Sequence, residues 1–137
     1  MRTKIILPIA AVSFLLMSFM FHPSADTEAA HKGMLKVTIF YPNAEGSTFD
    51  MDYYATKHMP MVADLLGDAL VKFEIDKGIS GRSPEEQAPY MAIGYLYVNS
   101  MEQYGQAFGP NADKIRGDIP NYTNVQPTIQ VSEVVSK

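Results

Sequence analysis

The chain has no cysteine, no tryptophan, only three histidines and no run of lysine or arginine. The absence of cysteine excludes disulfides, a lipoprotein attachment thiol, an iron–sulfur cluster and a thiolate zinc site, so stability must come from burial. Eleven lysines and arginines stand against 15 aspartates and glutamates, a net charge of -4. Nothing in that balance offers the clustered basic surface that nucleic acid requires. Neither a phosphate-cradling glycine loop nor a G-x-S-x-G nucleophile elbow is present. Internal repeats and low-complexity tracts are also missing.

What is present begins with an N-terminal leader. Arg2 and Lys4 precede an apolar run at 5–21, interrupted by Pro8, and small or polar residues with Ala25, Ala29 and Ala30 follow. That is the layout of a secretory signal peptide. Cleavage after residues 1–30 would give an exported domain, 31–137, periplasmic or secreted and without membrane attachment. An uncleaved anchor is the alternative, because the apolar run is close to the lower limit for a membrane span. His22 and His31 lie in or beside this leader, which leaves His58 as the histidine of the domain itself.

Four strands are expected. Residues 34–41 are rich in β-branched and aromatic side chains, with Leu35, Val37, Ile39 and Tyr41 on one face, and Pro42-Asn43 with Gly46 closes the strand. Residues 69–76 alternate Val71, Phe73 and Ile75 against Lys72, Glu74 and Asp76, as an edge strand with one wet face would. After a long surface connection at 77–89, residues 90–98 are apolar or aromatic on both faces, the pattern of a central strand. Gly94 within it predicts a close approach to the backbone. Residues 125–135 form the last strand. Two helices separate these strands: one over 49–66, and a second that Ser100 caps and Gly109-Pro110 interrupts.

The order strand, helix, strand, strand, helix, strand is an α+β, ferredoxin-like βαββαβ plan: a four-stranded antiparallel sheet with both helices on one face. Strands one and three carry apolar residues on the other face too. A second copy packed sheet to sheet would bury that face, so a two-fold homodimer, a dimeric α+β barrel, is expected.

The first helix concentrates the unusual chemistry. Ser47, Thr48 and Asp50 offer cap oxygens, Asp50 and Asp52 put negative charge in the first turn, and Gly67 supplies a stop. His58 falls one turn from Tyr54 and one from Val62, on a shared face. Pro60 cannot donate to the Thr56 carbonyl, which predicts a bend near His58. With an ordinary pKa near 6.5, His58 has two readings: an acid or base in a pocket, or a core group bonded to a backbone carbonyl or to Tyr54. Tyr53 reads as a packing group with a polar tip, and Tyr95 and Tyr97 as core or dimer-face residues.

The run Phe49-Asp-Met-Asp-Tyr-Tyr-Ala-Thr-Lys-His-Met-Pro-Met-Val62, placed on such a helix, resembles the EthD domain family of the dimeric α+β barrel superfamily. The segment Asp118-Ile-Pro-Asn-Tyr-Thr-Asn-Val-Gln-Pro-Thr-Ile-Gln130 resembles that family's closing loop and last strand. The resemblance covers 34–135. It implies a pocket between sheet and helices without a tightly held cofactor and, in some relatives, oxidation, decarboxylation or cyclisation of small organic substrates. The expectation is therefore an exported, cofactor-independent enzyme, an EthD-type oxidoreductase or a lyase. Its partner would be a small apolar or aromatic molecule, with His58 as acid or base and Tyr54 orienting the substrate. The alternatives are a non-catalytic carrier or sensor, including one that holds haem through His58, and a structural dimer without a pocket.

Overall fold

The computed structural model describes residues 32–135. The leader expected over 1–30, and with it the question of cleavage, lies outside the described residues. Strands β1 (Leu35–Pro42), β2 (Leu70–Lys77), β3 (Tyr90–Val98) and β4 (Thr128–Glu133) form one antiparallel sheet in the order β2-β3-β1-β4. The apolar strands β1 and β3 are central, and the alternating strand β2 is at an edge, as its one wet face requires. Register places Val37 opposite Leu96 and Val131, and Ile39 opposite Gly94 and Ile129, so these side chains share the helix-side face. The last strand starts at Thr128 and not at residue 125. Pro127, which has no N–H to give a ladder, stands just before it.

The first helical region begins two residues later than expected. Asp50 is extended (φ -90, ψ 94) and caps α1 (Met51–Tyr53) by accepting from the Tyr53 N–H at 2.9 Å, while Phe49 pairs with Thr123 in an isolated bridge. A π-helical turn spans Tyr54–His58, with the Met59 N–H reaching back five residues to the Tyr54 carbonyl, and α2 (Met59–Leu66) follows. Pro60 is thereby placed in the first turn of α2, where a missing N–H is tolerated. The widened turn takes up the irregularity that the sequence placed there. Gly67, at φ 50, ends α2.

The second helical region is α3 (Met101–Phe108), a tighter turn at Gly109–Asn111 and α4 (Ala112–Gly117). Ser100 Oγ accepts from the N–H groups of Glu102 and Gln103 and so caps α3. The core lies between the helices and the sheet, built on Val37, Tyr41, Val62, Leu66, Leu96 and Ile115 among others. Along β4 the helix-side face stays open: Ile129 and Val131 are about half exposed.

The opposite face is more polar than β1 and β3 alone suggest. The Tyr95 hydroxyl donates to Asp76 and the Tyr97 hydroxyl to Glu74, each at 2.8 Å, and Lys72 also bonds Glu74. Lys36 lies over both tyrosine rings. Burial and the bonded carboxylates push both phenols up to about 12. The charged residues come from the wet side of β2, which register brings opposite Tyr95 and Tyr97.

Candidate functional site

A cavity of about 510 Å³ lies between the sheet and the helices, with His58, Tyr54, Tyr122 and Tyr41 in its wall beside apolar residues of β1, β3, β4, α2, α3 and α4. The π-helical turn ends at His58 and directs the imidazole inward, where the residue is only 4 % exposed. Tyr54, one turn earlier, stacks on it with ring centroids 5.5 Å apart and planes 16° from parallel. Such turns interrupt a helix at an energetic cost and recur where a side chain must be re-aimed.

The partner of His58 is Asp118, which caps α4 and opens the turn Ile119–Asn121. Asp118 accepts from His58 Nδ1 at 2.8 Å, from the Tyr53 hydroxyl at 2.9 Å and from Asn121 Nδ2 at 2.8 Å. Burial acts to raise the Asp118 pKa, but these three donors outweigh it and hold the carboxyl below its usual range. An ionised carboxylate only accepts, so the proton sits on His58 Nδ1 and the other ring nitrogen, Nε2, presents a lone pair. Burial lowers the His58 pKa, and the attraction of Asp118 only partly offsets that effect, so the imidazole is neutral at neutral pH.

Nε2 meets the Tyr122 hydroxyl at 3.3 Å, and that hydroxyl is 2.7 Å from the Tyr41 hydroxyl. With Nε2 as acceptor, Tyr122 donates to it and Tyr41 donates to Tyr122, a chain from carboxylate to imidazole to two phenols. The 3.3 Å link is long for a hydrogen bond, so a substrate proton donor can displace it at modest cost. Burial is the first cause that pushes the phenols of Tyr41, Tyr54 and Tyr122 far up, so all three are neutral donors.

Tyr54 is placed differently from Tyr122. It is fully buried, and its hydroxyl makes no hydrogen bond of good geometry among the described residues, although the nearby Tyr41 phenol adds to the upward push of burial on its pKa. That hydroxyl lies against Gly94, where a Cβ would fall well inside 3.0 Å of it. The close approach expected at Gly94 is therefore made by Tyr54, across the core. The ring forms the cavity wall beneath His58, and its polar end points into the sheet.

The loop 118–124 is fastened to the entry of α1. The Asp50 N–H donates to the Tyr122 carbonyl at 2.7 Å, the Thr48 N–H to Asn124 Oδ1 at 2.9 Å, and Thr123 Oγ1 to the Thr48 carbonyl at 2.7 Å. The sequence pairs His58 with Tyr54 on one helix face, and the structure adds Asp118, Tyr122 and Tyr41, to which the sequence assigns no role beside them. The available signal was that Asp118 and Tyr122 both lie in the second segment resembling the family. Among the described residues no group of three or more His, Cys, Asp or Glu side chains converges as a metal site would require.

The fold and parts of the sequence recur in solved structures. An EthD-like protein from Ralstonia eutropha JMP134 is 37% identical, with a TM-score of 0.74 over 78% of this chain and 96% of its own. An ethyl tert-butyl ether D (EthD) family protein from Bacillus halodurans C-125 is 17% identical, with a TM-score of 0.58 over 74% of this chain and 99% of its own, a likeness of fold. No curated protein matches the chain. The EthD domain profile matches residues 44–126, a span that contains both the histidine helix and the Asp118 loop, and the chain belongs to the EthD family.

Proposed function

We propose that this protein is an exported, cofactor-independent enzyme of the oxidoreductase or lyase type. It acts on a small apolar or aromatic organic molecule by removing a proton with His58. The observation that carries this reading is the placement of a neutral imidazole, oriented by a carboxylate at Nδ1, among the residues that line a cavity large enough for a small organic ligand. In the step common to both reaction types, an acidic C–H or O–H of the substrate transfers its proton to Nε2. The electron pair stays on the substrate, and Asp118 stabilises the imidazolium that forms. Tyr122, released from Nε2, is a neutral donor for the negative charge that develops. Tyr54 supplies the floor on which the imidazole stacks and so fixes the plane of approach.

The export assignment rests on the leader composition. A homodimer is proposed on the aromatic residues of the open sheet face, Tyr95 and Tyr97 among them.

The test is proton exchange. In deuterated water, a panel of small apolar C–H acids such as aryl ketones and lactones is incubated with the protein and followed by NMR. Enzyme-dependent exchange of at least one compound is expected, abolished by His58→Gln and reduced by Asp118→Asn. Compounds that bind in the cavity without any exchange would replace the enzyme with the carrier reading.

A further inference from the structure

Taking the cavity as a ligand site, we propose that its ligand is an anion: an aromatic or alicyclic body carrying one carboxylate, which Arg116 binds. The acidic C–H or O–H that His58 attacks is a separate group on the same molecule.

Arg116 is the charged side chain that stands out in a wall made otherwise of apolar residues, tyrosines, His58 and Gln126. It projects from the last turn of α4, and its guanidinium carbon lies 5.6 Å from the centroid of Phe108, which lines the same cavity. An exposed arginine is ordinarily just solvated. Here the guanidinium carbon is within cation–π range of the ring, a contact that leaves the N–H groups free to donate, and among the described residues no carboxylate pairs with it. The acid nearest in sequence on the side of the loop, Asp118, is committed to His58, Tyr53 and Asn121. The guanidinium fork matches a carboxylate in shape and charge.

The charge at Arg116 in the wall and the charge of Asp118 behind His58 are opposite in sign. Arg116 acts on Tyr104, whose phenol it works to lower against the effect of burial, whereas the charge felt by His58 is that of Asp118. A ligand carboxylate is drawn to the first and repelled from the second. That orients the molecule, since its charged group and its reacting proton cannot exchange places without setting a carboxylate beside Asp118.

The experiment uses two probes of nearly the same shape, naphthalene-2-carboxylate and 2-naphthamide, titrated calorimetrically into the full-length chain at about pH 8, where the acid is ionised and a histidine is neutral. The carboxylate is expected to bind at least about tenfold tighter than the amide, as a charge-assisted bond to the guanidinium implies. Arg116→Gln should erase that preference while leaving amide binding unchanged, and Arg116→Lys should restore part of it. Added salt should shrink the preference in the wild type. Equal affinity for the two probes in the wild type, or an equal loss of both in Arg116→Gln, overturns the proposal and leaves the cavity reading standing. Failure of both probes to bind overturns the two together.

Discussion

Gly94 and Tyr54 offer a quantitative test of the packing beneath the site. A Cβ added at Gly94 meets the Tyr54 hydroxyl oxygen well inside 3.0 Å, but the next atoms, Tyr54 Cζ and Ile39 Cδ1, stand at 3.4 and 3.5 Å, ordinary contact distances. One oxygen atom is therefore the whole obstacle. Gly94→Ala should destabilise by about 1–3 kcal/mol, the usual range for overpacking a filled core. Tyr54→Phe deletes that oxygen, which makes no hydrogen bond of good geometry among the described residues, so it should be neutral or stabilising by on the order of 1 kcal/mol. In the Tyr54→Phe background the alanine then meets only normal contacts, and Gly94→Ala should become neutral or slightly favourable, because it also lowers the entropy of the unfolded chain. The coupling between the two sites would be about 1–3 kcal/mol, well above the error expected for independent positions. Urea unfolding of the two single variants and the double variant measures it. Additive effects, or a loss of more than about 1.5 kcal/mol in Tyr54→Phe, would show that the hydroxyl has a partner and that its contact with Gly94 is not what excludes a side chain.

Three further outcomes follow from the geometry. Stability should fall as pH drops below 6.5, because the folded His58 pKa lies below that value and the unfolded chain takes up the proton first; the loss continues down to the folded pKa, with a slope of at most about 1.4 kcal/mol per pH unit for one proton. The lowered Asp118 pKa adds loss of the same sign once pH falls through 3.8, and a thermal melt at several pH values reads both. Tyr122→Phe keeps the ring contacts but leaves the buried Tyr41 hydroxyl without its 2.7 Å partner, so it should cost about 1–3 kcal/mol in urea unfolding. Ser100→Ala removes the acceptor for two N–H groups at the start of α3 and should cost about 0.5–2 kcal/mol, most of which Ser100→Asp should restore.

The sheet was legible in the sequence because its periodicity is strong: Val71, Phe73 and Ile75 alternate with charges on an edge strand, and β3 is apolar throughout. Cap residues with local chemistry, Ser100 and Asp50, were legible for the same reason, since their partners are two or three residues away. The polar character of the open sheet face was not, because it depends on a register that brings Glu74 and Asp76 of β2 to the tyrosines of β3. His58 and Tyr54 could be singled out as a spaced pair on one helix. What they do could not, because the partner of His58 lies 60 residues away in a loop without periodicity. Nothing local to Tyr54 distinguishes a hydroxyl that reaches a ligand from one that ends against Gly94.

The central claim is that His58 is a neutral base whose free nitrogen is Nε2. Two-bond nitrogen–proton NMR correlation on uniformly nitrogen-15 labelled protein reads this directly, with the His58→Gln variant used to separate its signals from those of His22 and His31. The arrangement with Asp118 predicts that Nδ1 carries the proton at neutral pH, that Nε2 shows the shift of an unprotonated nitrogen, and that the ring titrates below 6.5. A ring protonated on Nε2, or one that titrates above 6.5, would contradict the claim and with it the proton-transfer step built upon it.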